Sequence, residues 1–330
     1  GLIRLYNSNE RSKSKRPSAY CQIYFFTAIP SFILSVHDFP VETSCHDSYI
    51  FKIHLHFPNF IFFMSSVAVK TPAPKKKFSQ NFLTNPHYVR KIVDAANLSS
   101  GDTAVEIGCG KGALTELLLE SGATLHGVEI DPDMIRILTE RFSQHPRFTL
   151  HHQDILTFDF HGMASGFPLT VIGNLPYHIS SPILFHLMES GPIIRQALIM
   201  VQKEVAERIV GKPHSKDYGI LSIFCQYHAA CEKLFDLPPG AFFPAPKVTS
   251  SIVRMTFHRD MTPWPHYPLF VKIVKTGFNQ RRKMLRNSLS SFEGINNVTI
   301  DLSQRPENLS VEDFIRLTDE LAMHQRHYAA

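Results

Sequence analysis

Thr103-Ala104-Val105-Glu106-Ile107-Gly108-Cys109-Gly110-Lys111-Gly112 decides the fold. Its first five residues have the apolar, partly β-branched composition of a buried parallel strand. Three glycines at alternate positions follow, and then an apolar spacing through Leu114, Leu117 and Leu118 that predicts a helix. Such glycines let the chain turn sharply from strand to helix and bring its backbone close to a ligand. Dinucleotide enzymes use a related turn, but the spacing here is G-x-G-x-G rather than G-x-G-x-x-G. Glu106, inside the strand's end, also suits a cationic ligand better than a pyrophosphate.

Downstream the strand-then-helix rhythm repeats. A second strand, Thr124 to Val128, ends in Glu129-Ile130-Asp131-Pro132. Glu129 lies about twenty residues beyond the glycines, where this architecture places a carboxylate on ribose hydroxyls. Asp131 caps the next helix and Pro132 starts it. A third strand, Phe148 to His152, runs into Gln153-Asp154-Ile155-Leu156. Asp154 has two readings, an acceptor for an adenine amino group or a helix cap. His151 and His152 read as strand surface. Leu169 to Ile172 is a fourth strand and Ala197 to Val201 a fifth, with a helix opening at Gln202-Lys203-Glu204 and running through Val210. The pattern is that of an α/β protein with an open, doubly wound sheet.

After the fourth strand stands Asn174-Leu175-Pro176-Tyr177, followed by His178-Ile179-Ser180 and a helix start at Ser180-Ser181-Pro182. Ligands of open α/β sheets bind at such strand-to-helix junctions. The cluster suits methylation of an exocyclic amino group on a flat ring, a poor nucleophile because its lone pair is spread into the ring. The Asn174 side-chain oxygen and a backbone carbonyl at Leu175 or Pro176 can each accept one N–H and aim the lone pair. Pro176 stiffens the turn, and Tyr177 offers a stacking face. The bland alternative is a turn with a half-buried tyrosine.

The 330-residue length suggests about two domains. A net charge of +5 permits a polyanionic partner without requiring one. Five cysteines lack C-x-x-C or zinc spacing and 18 histidines lack H-E-x-x-H, so the thiols read as reduced, the compartment as cytoplasmic and the metal content as none. No apolar run reaches membrane-spanning length. Residues 1–63 contain no methionine and are phenylalanine-rich without a steady period, and the runs Cys21–Val36 and Tyr49–Phe63 suit neither helix nor half-buried strand. They are expected to be a non-native or unstructured extension, with Met64 as natural initiator; an organelle-targeting extension competes but contains Glu10, Asp38, Glu42 and Asp47. Residues 64–77 form a basic leader ending in Lys75-Lys76-Lys77, and after Pro265 the composition shifts. Asn85-Pro86 opens a helix, 238–246 is a proline-stiffened loop presenting aromatics, and Ser251 to Phe257 alternates like a closing strand. Phe278 to Leu289 reads as one helix with Phe278, Leu285 and Leu289 on one face. Arg281, Arg282, Lys283 and Arg286, four bases within six positions, read as a phosphate-binding face. A further short helix carries Val311, Phe314, Ile315 and Leu317.

In order, FSQNFL, EIGCGKGALT, GVEIDP, QDIL, GNLPYHISSPILF, QKEVAERI, AFFPAPKV and FNQRRKMLRNSL closely resemble the KsgA/RsmA family of small-subunit ribosomal RNA adenine dimethyltransferases. The resemblance spans about residue 75 to the C-terminus. It implies a class I S-adenosylmethionine-dependent methyltransferase domain over 78–259, with a Rossmann-like, mostly parallel seven-stranded sheet, and a small helical RNA-binding C-terminal domain over 260–330. S-adenosylmethionine is the implied methyl donor. The implied reaction is dimethylation at N6 of two adjacent adenosines in a hairpin loop near the 3′ end of the 16S rRNA, in the immature 30S subunit, by a monomer. The family's donor-binding positions fall on Asn81, Leu83, Gly108, Glu129, Asp154 and Asn174. Its target-base positions fall on Asn174, Leu175, Pro176 and Tyr177, with Phe242 as second stacking aromatic. The family usually has glycine where this chain has Ser79 and proline where it has Cys109. Three rival readings are a large-subunit rRNA methylase of the macrolide-resistance type, a non-catalytic assembly factor retaining the fold, and, more distantly, a dinucleotide oxidoreductase.

Overall fold

Two units make up the chain, residues 1–73 and 74–330. The computed structural model describes residues 4–7, 21–24, 56–57, 60–61, 81–163, 168–258 and 264–327. In the first unit Arg4–Asn7 pairs antiparallel with Cys21–Tyr24, and His56–Phe57 with Phe60–Ile61. Short strands therefore occur where the extension was expected to be unstructured: aromatic and β-branched residues such as Tyr6, Ile23 and Phe60 favour extended pairing even without a long alternating pattern.

In the second unit β1 (Phe82–Leu83) precedes α1 (Pro86–Ala96), β2 (Thr103–Ile107), α2 (Ala113–Glu120), β3 (Thr124–Glu129), α3 (Pro132–Phe142) and β4 (Phe148–His152). Next come β5 (Leu169–Asn174), α4 (Ser180–Ser190), β6 (Ile194–Gln202), α5 (Lys203–Ile209), α6 (Ile220–His228) and β7 (Ala229–Leu237). The chain closes with β8 (Phe242–Phe243), β9 (Ser250–Phe257), α7 (Tyr267–Asn279), α8 (Leu285–Ser288) and α9 (Val311–His327). The helix starts follow local chemistry. Asn85 accepts the His87 N–H and Asp131 the Asp133 N–H, each ahead of a proline in the first turn.

Seven strands form one sheet in the order β7-β9-β6-β5-β2-β3-β4. The pairs from β6 to β4 are parallel, and β9 runs antiparallel to both β6 and β7. Alternate side chains enter separate cores on the two faces, Val105, Val171 and Ile199 on one and Ala104, Ile172 and Leu198 on the other. From β2 the chain winds outward through β3 to β4, then returns to the other side of β2 with β5. The reversal leaves a crevice between the C-terminal ends of β2 and β5, where this architecture binds ligands. Gly173 permits that closeness: a Cβ there would lie 2.8 Å from Ile107 Cβ and 3.0 Å from Ile107 O.

Three further expectations are corrected. Residues 278–289 are not one helix: α7 ends at Asn279 and Met284 is extended (φ −64°, ψ 150°) before α8. Tertiary partners override the helical pattern there, since Leu285 N–H donates to Gln304 O at 2.8 Å and Arg286 N–H to Leu302 O at 3.0 Å. Phe270, Leu285, Leu289 and Phe314 share one core with Val171 and Phe224, so residues 264–327 have no core of their own. The last helix is 17 residues, not short.

Candidate active site

A cavity of about 350 Å³ occupies the crevice, within the size range of small-ligand sites. The glycine turn after β2 lines it with Glu129, Asp154, the Asn174–Ile179 segment, Phe82 of β1 and Asn81 just before that strand.

At one end the backbone and two carboxylates dominate. Gly108 (φ +70°), Gly110 (φ +54°) and Gly112 (φ +85°) all adopt the left-handed conformation, which side chains with a Cβ disfavour. The turn thus places the Gly110 N–H on Glu129 Oε2 at 2.9 Å. Glu129 Oε1 accepts from Ile130 and Asp131 N–H, both at 2.9 Å. Three backbone donors fix this nearly buried carboxylate, and Oε2, which takes only one of them, keeps acceptor capacity for a ligand hydroxyl. Asp154 is a cap, its Oδ1 accepting from Leu156 N–H at 3.0 Å at the start of a short 3₁₀ turn, and the residue also lines the cavity. Ile130 and Leu156 supply exposed apolar faces beside it.

Glu106 does not line the cavity. It shares the Ala104 side of β2, is buried, and accepts the Thr115 hydroxyl at 2.6 Å. Burial first, with Glu129 adding to it, pushes its carboxyl up to about 7 against the opposing Thr115 bond. The strand's alternation places it under α2 rather than in the crevice. Cys109 is also buried and packs against Gly127, where a Cβ would come within 2.7 Å of the sulfur. Burial raises its thiol well above the ordinary value, so it is an unreactive packing residue. His151 is half-buried rather than on the open surface, 3.1 Å from His126.

At the other end Asn174 Nδ2 donates to the Asn81 carbonyl at 3.0 Å. A carbonyl only accepts, so this bond fixes which way the amide points. Leu175 is buried and its N–H donates to Met200 O at 3.1 Å. The Pro176 carbonyl accepts the Ile179 N–H at 3.1 Å. The Tyr177 and Ser250 hydroxyls share a 2.7 Å hydrogen bond that fixes the phenol ring. Burial raises the Tyr177 pKa despite that bond.

The cavity therefore brings together Asn81, Gly108, Glu129, Asp154 and Asn174–Tyr177. Two expected residues lie elsewhere. Leu83 and Phe242 are opposite each other in the β1–β8 pair, and both side chains enter the core with Ile172 and Leu198. Phe242 is only 4% exposed, so its ring offers no open stacking face, whereas Phe243 is 47% exposed. A strand alternates its side chains, and the buried set belongs to Phe242. Arg281 departs too: its guanidinium pairs with Glu307 at 2.6 Å and donates to Lys216 O at 2.8 Å. Arg282, Lys283 and Arg286 remain exposed. Sequence reasoning missed Ser250, a residue distant in sequence that only strand pairing brings to Tyr177, and Ile130 and Phe82 as lining.

A cradle with glycine-turn backbone, one carboxylate for hydroxyls, a second for an amino group and apolar faces for a flat ring fits S-adenosylmethionine. Sheet order and site together define a class I, Rossmann-like S-adenosylmethionine-dependent methyltransferase. Residues 73–323 match the family model described as ribosomal RNA adenine dimethylase. The chain is 46% identical over 253 residues to the ribosomal RNA small subunit methyltransferase A of Pseudomonas aeruginosa, spanning 75% of this chain and 94% of that one. It is 46% identical over 252 residues to the protein of that name from Aromatoleum aromaticum, with the same shares. Among solved structures, a dimethyladenosine transferase from Plasmodium falciparum superposes with a TM-score of 0.64 at 26% identity, covering 74% of this chain and 98% of that one. The 23S rRNA methyltransferase ErmE shares the fold at a TM-score of 0.58 and 24% identity, covering 73% of this chain and all of that one. The chain belongs to the ribosomal RNA adenine dimethylase family and is an S-adenosylmethionine-dependent rRNA methyltransferase.

Proposed function

We propose that this enzyme dimethylates N6 of two adjacent adenosines in the 3′-terminal hairpin loop of small-subunit rRNA, in the immature 30S particle, as a cytoplasmic monomer. The observation that carries the reading is the Asn174 amide, held by Asn81 O with its oxygen left to accept. Asn174 Oδ1 takes one N6 hydrogen. The Leu175 carbonyl is favoured for the other, because the Pro176 carbonyl already holds Ile179 N–H. Accepting both hydrogens localises the lone pair on nitrogen and aims it. Tyr177, its hydroxyl tethered to Ser250, stacks on the extruded base; extrusion costs less from a loop than from a duplex.

Glu129, Asp154, Asn81 and the Gly108 turn are assigned to S-adenosylmethionine, which when bound supplies an electrophilic methyl group. Positioning and fixed dipoles then carry the catalysis. No side chain needs to act as general base, because methylation collapses the nitrogen's pKa and the proton leaves to water. Arg282, Lys283 and Arg286 form the phosphate-facing surface. The relatives named for the small subunit match at 46% identity, which supports that RNA over the large-subunit one.

Incubation with labelled S-adenosylmethionine and undermethylated small subunits, followed by mass spectrometry of the rRNA, should find dimethyladenosine at two adjacent positions. Unmodified adenines would sink the reading.

A further inference from the structure

The segment from β8 to β9 leaves Phe243 47% and Val248 42% exposed, with Lys247 exposed beside Val248. It is anchored at both ends, and at its far end it reaches the site. At its start, the Ala241 carbonyl accepts Thr84 N–H at 2.9 Å and Asn85 N–H at 3.2 Å. At its end, the Thr249 carbonyl accepts Lys203 N–H at 2.9 Å, and the next residue, Ser250, holds Tyr177. The β1–β8 register sets Phe243 directly opposite Phe82. Residues opposite one another in an antiparallel pair share a face, and Phe82 lines the cavity. Phe243 therefore rises on the cavity side of the pair, while Leu83 and Phe242 enter the core. A phenylalanine left this exposed forgoes the gain of burial, and prolines 244 and 246 stiffen the ledge that carries it.

We propose that Phe243 is a stacking platform for the nucleobase next to the target adenosine, with Lys247 on the adjoining phosphate. The proposal rests on the function given above. A target base drawn into the cavity leaves its loop neighbour without a stacking partner at the rim, and an aromatic face restores one whatever the base identity. The lysine supplies the backbone attraction that single-stranded sites pair with such stacking. The role is distinct from that of Tyr177, which takes the target base itself.

The test uses the full chain and undermethylated small subunits reconstituted with a synthetic 3′ rRNA fragment carrying 2-aminopurine beside the target. Wild-type binding should quench the fluorophore by stacking. Phe243→Ala should raise the KM for the particle roughly tenfold, within the range of a lost base–aromatic stack, and abolish the quenching. Its affinity for S-adenosylmethionine, the check on folding, should hold. Phe243→Trp should restore KM and quenching, and Phe243→Leu should restore neither. The proposal falls if Phe243→Ala stays within twofold of wild type, or if Phe243→Leu rescues as well as Phe243→Trp. A raised KM with unchanged quenching assigns the ledge to a ribosomal protein and overturns it too. Wild-type enzyme that leaves the particles unmethylated sinks both readings; methylation indifferent to Phe243 sinks this one alone.

Discussion

Replacing Asn174 with alanine removes two things at once, and the structure separates them. The first is the acceptor oxygen offered to N6. Loss of one preorganised hydrogen bond to the reacting group costs about 2.7–4 kcal/mol, or on the order of 100- to 1,000-fold in rate. The second is the Nδ2 bond to the Asn81 carbonyl at 3.0 Å. A part-buried neutral bond contributes about 0.5–1.5 kcal/mol to stability, so the fold should survive with a Tm lower by a few degrees. Single-turnover methyl transfer to undermethylated small subunits at saturating donor isolates the first effect; calorimetric titration with S-adenosylmethionine and thermal melting report the second. Asn174→Asp sharpens the test, since it keeps an acceptor but sets a carboxylate oxygen against the Asn81 carbonyl. Its rate should fall nearly as far as that of the alanine variant. An alanine variant within tenfold of wild type, or a fully active aspartate variant, would refute the role given to the oriented amide.

Other outcomes follow from the same geometry. Ser250→Ala and Tyr177→Phe each delete the 2.7 Å tether, so each should slow single-turnover methylation several-fold and the double variant no further; additive losses would show that the hydroxyls act separately. Arg281→Ala should cost on the order of 1 kcal/mol in denaturant unfolding, through the Glu307 pair, and leave the salt dependence of RNA binding unchanged. Neutralising Arg282 and Arg286 should instead flatten that dependence by roughly 0.7–0.9 in log–log slope for each phosphate the protein ceases to neutralise, and an unchanged slope would place them off the RNA. Glu106, raised from 4.5 to about 7, binds its proton more readily folded than unfolded. Its burial therefore erodes stability as pH rises from about 4.5 to 7 and no further above that. Glu106→Gln should escape this erosion, gaining up to roughly 3 kcal/mol on wild type between pH 4.5 and 8; a gap independent of pH would mean that the carboxylate is stabilised in place.

Much of this enzyme was legible without coordinates, because local rules dictate it. The alternation that buries β2, β5 and β6 on both faces is written in their apolar runs. The caps at Asn85 and Asp131 need only neighbours two residues away, and the glycine turn and the Asn174–Tyr177 cluster sit at strand ends that the periodicity locates. What the chain does not announce is which distant group meets which. Residues 278–289 carry a helical pattern that bonds to Gln304, Leu302 and Glu307 interrupt. Arg281 looked like its basic neighbours, yet a carboxylate 26 positions away claims it. Phe242 and Phe243 are the same residue type side by side, and a two-residue pairing with β1 alone decides which ring is buried. Ser250 reaches Tyr177 across 73 residues. Propensity and periodicity act over a few residues and so can be read along the chain, whereas strand register and ion pairing depend on segments that only folding brings together.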